Sequence, residues 1–121
     1  MNNIFSKKFN KLKGSVGEDI ALNYIKKHLK YKILETNYTC DIGEIDIIAK
    51  DNKIVVFIEV KYRASDIYGL PREAVNAAKQ RKIKQTAISY LKYNNLYESV
   101  DVRFDVVDIL NDKVTYIEDA F

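Results

Sequence analysis

The chain has 121 residues, 47% of them apolar and 31% charged, with a formal net charge of +3. That profile suits one globular domain around one core and excludes a disordered or low-complexity chain. No apolar run approaches the roughly 20 residues needed to cross a bilayer, and a single cysteine, Cys40, excludes an internal disulfide and a thiolate zinc cluster.

The N-terminus has no signal-like apolar region, since Ile4 and Phe5 give way at once to Lys7 and Lys8. The expected location is the reducing cytoplasm, away from membranes. Charge is spread unevenly: residues 1–97 hold 18 Lys/Arg against 10 Asp/Glu, and residues 98–121 hold 2 against 7. A basic body with an acidic end is compatible with a polyanionic partner, because clustered cations gain affinity by releasing phosphate counterions. The same counts also fit an ordinary solvated surface.

Residues 1–13 carry Lys7, Lys8, Lys11 and Lys13 and no acid, which reads as a flexible basic arm before a single domain over 14–121. The first element is a helix, with Val16, Ile20, Ala21, Tyr24, Ile25 and Leu29 at helical spacing and Ser15 and Glu18 as a capping box. Residues 31–38, 44–50 and 53–63 follow as strands, the last two forming a hairpin about Asp51-Asn52. Ile54-Val55-Val56-Phe57-Ile58 is apolar on both faces, as a covered central strand requires. After a polar loop with Ser65, Asp66 and Gly69, Pro71 opens a helix that runs to about Tyr93, with an irregularity near Asn76. Its expected apolar side is Val75, Ala78, Ile83, Ala87, Ile88 and Leu91, and residues 72–92 carry six basic residues against one acid, Glu73. The strand 100–110, an Asn111-Asp112 turn and the strand 113–117 complete the order αβββαββ, an α/β domain with a mixed sheet flanked by helices.

The chemistry is concentrated in Gly43-Glu44-Ile45-Asp46 and Phe57-Ile58-Glu59-Val60-Lys61. Residues two apart on a strand share a face, so Glu59 and Lys61 point the same way. A two-residue turn at Asp51-Asn52 sets Asp46 opposite Phe57, on that same face and diagonal to Glu59. An odd-length turn would send Asp46 to the other face. Two carboxylates and a lysine among apolar residues need a compensating partner. A hard divalent cation, Mg²⁺ or Mn²⁺, supplies one, and a polar face whose charges only pair with one another is the alternative.

These segments, with Gly17-Glu18, Phe57-Ile58-Glu59-Val60-Lys61-Tyr62-Arg63, Arg103-Phe104-Asp105-Val106-Val107 and the Ala120-Phe121 ending, resemble the YraN-like family of small bacterial proteins. That family resembles archaeal Holliday-junction resolvases and the PD-(D/E)xK nucleases. The resemblance implies a restriction-endonuclease-like fold with Asp46, Glu59 and Lys61 as the D…ExK triad, and Glu18 as an acid reaching the metal from the first helix. The function expected is a Mg²⁺-dependent endonuclease cutting DNA, branched or otherwise structured. The alternative is a non-catalytic nucleic-acid-binding or adaptor module on a nuclease scaffold.

Glu18 serves equally well as a helix cap. Lys79, Arg81 and Lys82 suit a helix face that tracks phosphates, and Arg63 continues the third strand towards a flanking phosphate. Arg103 and Asp105 share a strand face and are expected to pair. A two-fold homodimer would suit symmetric cutting of two strands.

Overall fold

A computed structural model describes residues 16–63 and 75–121. The basic arm, Ser15 of the capping box, the loop at Ser65, Asp66 and Gly69, Pro71 and Glu73 lie outside the described residues. Helix α1 is α-helical over 16–24 and ends in a π-helical turn, Ile25–Leu29. The turn is closed by Lys30 in the left-handed region (φ 60°), whose N–H donates to the Ile25 carbonyl at 2.7 Å. There follow β1 (Lys32–Thr39), β2 (Glu44–Asp51), β3 (Ile54–Arg63), α2 (Ala77–Tyr93), β4 (Asp101–Leu110) and β5 (Lys113–Ile117).

The five strands form one sheet in the order β1-β2-β3-β4-β5. Only β3 and β4 run parallel; the other neighbouring pairs are antiparallel. A parallel pair needs a long crossover, and α2 lies within it. This is the expected mixed α/β, restriction-endonuclease-like fold with its αβββαββ order.

Strand alternation divides the core in two. Val55, Phe57 and Val106 pack with Ile83, Ala87, Tyr90 and Leu91 of α2. Val56, Ile58, Val107 and Ile109 pack with Ala21 and Ile25 of α1. The sheet is therefore covered by a helix on each face, and β3 is buried on both sides from Val55 to Glu59. Fully burying such side chains stabilises by roughly 1.5–3 kcal/mol each. Gly17 allows the close seat of α1, since a Cβ there would stand 3.0 Å from the Tyr62 Cβ.

Three local expectations are corrected. The β2–β3 turn is Asn52-Lys53, with Asn52 at φ 54° and Asp51 opposite Ile54. A left-handed turn position suits asparagine, whose short polar side chain tolerates it. The irregularity expected near Asn76 is where the described helix α2 starts, its side chain capping the helix by accepting from the Lys79 N–H at 2.9 Å. The buried side of α2 includes Thr86 and Tyr90, whereas Ala78 and Ile88 are exposed. On α1, Val16 is likewise exposed.

On the α1 face, Arg103 and Asp105 do pair, within a larger network. Arg103 donates to Asp105 and Asp51 at 3.0 Å and to the Tyr31 hydroxyl at 2.8 Å. Asp105, fully buried, also accepts from the Tyr116 hydroxyl and from the Asp119 N–H. Burial, then Asp105, pushes the Tyr116 pKa up. The network ties β4 to the end of β2, to β5 and to the residues after it. Removing one partner of a buried pair typically costs about 3–5 kcal/mol. Asp105→Ala is expected to lose that much in urea-unfolding free energy, and a loss below about 1 kcal/mol would contradict the structural role given to the network.

Candidate active site

The polar residues of interest gather on the α2 face, where β2 begins and β3 ends. The corrected turn moves the β2–β3 register by two positions, which preserves the parity on which Asp46 depends. Extending the ladder past its last pair, Ile47↔Ile58, sets Asp46 level with Glu59 instead of Phe57. Backbone pairing stops at that pair, and the Asp46 carboxylate accepts from the Val60 N–H at 2.8 Å. Ile45 and Ile48, an odd number of residues apart, both join the α2-side core. Strict alternation therefore fails around Asp46, a departure of the kind that re-aims a side chain next to a site.

Asp46 and Glu59 line a cavity of about 120 Å³ with Gly43, Glu44, Lys79, Lys82 and Ile83. Gly43 passes close over α2, since a Cβ there would meet the Thr86 hydroxyl at 3.2 Å. Glu59 is only 7% exposed, and its Oε1 is 2.7 Å from Lys79 Nζ and 3.8 Å from Lys61 Nζ. The Asn76 cap fixes Lys79 in the first turn of α2, and from there its stem reaches the strand.

Two carboxylates in this half-buried corner cannot both ionise freely. Burial first, then the charge of Glu59, pushes the Asp46 pKa up to about 7 against the opposing hydrogen bond from Val60, with Glu18 and Glu44 adding to the rise. Burial and the neighbouring Lys79 ammonium lower the Lys61 pKa. Burial alone would lower that of Lys79 too, but its bond to Glu59 prevails and raises it. The arrangement combines a carboxyl that exchanges its proton near neutrality, a carboxylate and two amines, one of them inclined to give up its proton.

The sequence-derived residues take distinct places. Asp46, Glu59, Lys61 and Lys79 come together, and Lys82 lines the same cavity from an exposed position on α2. Glu18 lies near enough to act on Asp46, but its carboxylate accepts from the Asn37 amide at 2.9 Å. Arg63 makes a two-pronged contact with buried Asp108, at 3.0 and 3.2 Å. Arg81 is exposed, and Glu44 is exposed at the rim. Among the described residues no three His, Cys, Asp or Glu side chains are grouped to hold a metal ion. Any ion here would rest on Asp46 and Glu59, with water completing its shell as Mg²⁺ commonly allows. Asn37, 19 residues from Glu18, and Asp108 were not identified from sequence; the only signal for Asn37 is an asparagine interrupting a strand pattern, where it adopts φ 54°.

The Asp46 carboxyl titrates near 7 when folded against an ordinary 3.8. Between those values the folded chain holds a proton that the unfolded chain has released, so the stability contributed by this group falls as pH rises through the interval. The loss is roughly 1.4 kcal/mol per pH unit at most. Asp46→Asn keeps an acceptor for Val60 and removes the titration. At pH 8 it should melt at least about 3 °C above wild type, with the gap closing towards pH 4.5. Equal melting temperatures at pH 8 would show that Asp46 ionises without the cost that its raised pKa implies.

Comparison with known proteins agrees with the resemblance read from the motifs. A protein of Clostridium beijerinckii named UPF0102 protein is 46% identical over 121 residues, covering 95% of this chain and 97% of its own. A UPF0102 protein of Clostridium botulinum is 48% identical over 118 residues, covering 93% and 95%. One from Lachnoclostridium phytofermentans is 46% identical over 111 residues, covering 92% and 93%. With the family described as "Uncharacterised protein family UPF0102" matching residues 17–109 as well, the chain belongs to that YraN-like family.

Proposed function

We propose that this chain is a divalent-cation-dependent endonuclease that hydrolyses DNA phosphodiester bonds, with branched or structured DNA as its substrate class. The observation that carries the reading is the meeting of Asp46 and Glu59 at one cavity, with Lys61 Nζ 3.8 Å from the Glu59 carboxylate. It supports kinship with the PD-(D/E)xK nucleases and the archaeal resolvases, whose D…ExK pattern these residues match.

The donor set fits Mg²⁺ or Mn²⁺: two carboxylates and no soft ligand lining the cavity. When bound, such an ion polarises the phosphodiester and lowers the pKa of water. Asp46 and Glu59 would hold the ion. Lys61, whose pKa is lowered, sits within 3.8 Å of Glu59, where it can orient the attacking water and offset charge developing on the phosphate. Lys82 and Arg81 on exposed α2 positions suit the flanking backbone, and α2 carries five basic residues and no acid over Ala77–Tyr93. No described helix is long and apolar enough to cross a membrane.

One observation favours a second reading. The Lys79 ammonium already neutralises Glu59 at 2.7 Å, as it would in a metal-free module that only binds nucleic acid. Incubating wild type with branched, nicked and linear DNA and Mg²⁺ or Mn²⁺ separates the two. Cleavage should fall at least about 100-fold in Asp46→Asn and Lys61→Ala, with DNA binding retained. Undiminished cleavage by Asp46→Asn would refute the assignment, and salt-sensitive binding by wild type without turnover would establish the module.

A further inference from the structure

We propose that Lys79 is an internal stand-in for the cation, and that it leaves Glu59 when a divalent ion enters and moves to the rim as a phosphate contact. The inference deepens the nuclease reading and rests on Asp46 and Glu59 being the ion's ligands.

Its basis is an asymmetry between the partners. Glu59 sits on the central strand and is 7% exposed, so its carboxylate stays in place. Lys79 comes from a different element, the first turn of α2, and its side chain is 41% exposed. Its long stem gives the ammonium a route to water without moving the backbone. Lys61 has no equivalent freedom, being on the same strand as Glu59, farther from Oε1 and 26% exposed. An ammonium 2.7 Å from Oε1 stands where an ion bound to that oxygen would have to sit, and two cations cannot share the position. Lys79 is thus the group that must move. Displaced, it joins Lys82, three residues along on the same helix face, at the mouth of the cavity, where a phosphate would be approached by two cations instead of one.

The exchange couples the two ligands. A phosphate that draws Lys79 outward uncovers Glu59 and favours ion binding, and by linkage an ion that expels Lys79 favours phosphate binding. The pocket would take up an ion poorly until a nucleic-acid backbone is present.

Mn²⁺ titration of the full chain, by calorimetry at fixed ionic strength, tests the exchange. Lys79→Met should bind Mn²⁺ at least about tenfold more tightly than wild type. Lys82→Met removes the same charge from the rim without a contact to Glu59 and should change affinity by less than about threefold. Wild type that binds Mn²⁺ while Lys79→Met binds no tighter, or both variants gaining equally, would overturn the exchange and leave the metal reading standing. No Mn²⁺ binding by wild type or by folded Lys79→Met would overturn both. Because Lys79→Met leaves Glu59 with one fewer partner and could impair folding, a second measurement uses unaltered protein. Acetylation of lysines, read by peptide mass spectrometry, should rise at Lys79 and stay level at Lys82 when saturating Mn²⁺ is added; Lys79 labelling unchanged by bound Mn²⁺ would overturn the exchange.

Discussion

A carboxylate on the covered face of a middle strand is the constraint around which this structure is arranged. Taking a charge such as Glu59 out of water costs several kcal/mol even after relaxation, and the chain meets that cost locally. Lys61 comes from the same strand and Lys79 from the helix packed above it. The position of Lys79 depends on where α2 begins, hence on Asn76. Asp46 enters from β2 where the ladder to β3 ends and takes over a backbone donor at Val60. Farther along β3, Arg63 and Asp108 continue the polar strip as a closed ion pair.

The two polar clusters of the molecule differ in how completely they are satisfied. Around Arg103, on the α1 face, every strong donor meets an acceptor, and Asp105 receives a guanidinium, a hydroxyl and a backbone N–H. Such a cluster fixes geometry and leaves little to gain from a ligand. Around Glu59 the groups are mutually unfavourable: Asp46 is pushed to hold its proton, and two amines crowd one oxygen. The first cluster joins β4 and β5 to the end of β2, and the second joins β2, β3 and α2.

Much of this was legible in the sequence because it depends on parity and not on register. Alternation in β3 shows Glu59 and Lys61 sharing a face whatever their neighbours do, and a two-residue turn at either position brings Asp46 to the same end of that face, although alternation lapses beside it where the ladder stops. The level of Asp46 against β3 was not legible, since two adjacent turns of equal length differ only in which asparagine-flanked pair accepts a left-handed residue. The cap at Asn76 was legible only as an irregularity, because buried Val75 continues the apolar pattern just before it. Tyr90 and Thr86 were missed on the buried face because their polar atoms conceal apolar bulk; the Thr86 hydroxyl is satisfied within the helix by the Lys82 carbonyl. Contacts between distant segments, Glu18 with Asn37 and Lys79 with Glu59, leave no periodic trace at all.

The way α2 is fastened has a mechanical consequence. Its grip on the sheet comes from Ile83, Ala87, Tyr90 and Leu91, all beyond the first turn, while Ala77 and Ala78 face solvent. Fraying of that first turn forfeits an asparagine cap worth about 1 kcal/mol and one ion pair, but none of the helix's own apolar seam, while buried Val75 holds the chain just before it. The wall of the cavity that carries Lys79 can thus yield while the wall that carries Glu59 stays as rigid as the interior. Opening of this pocket thus asks less of the core than melting of the fold does.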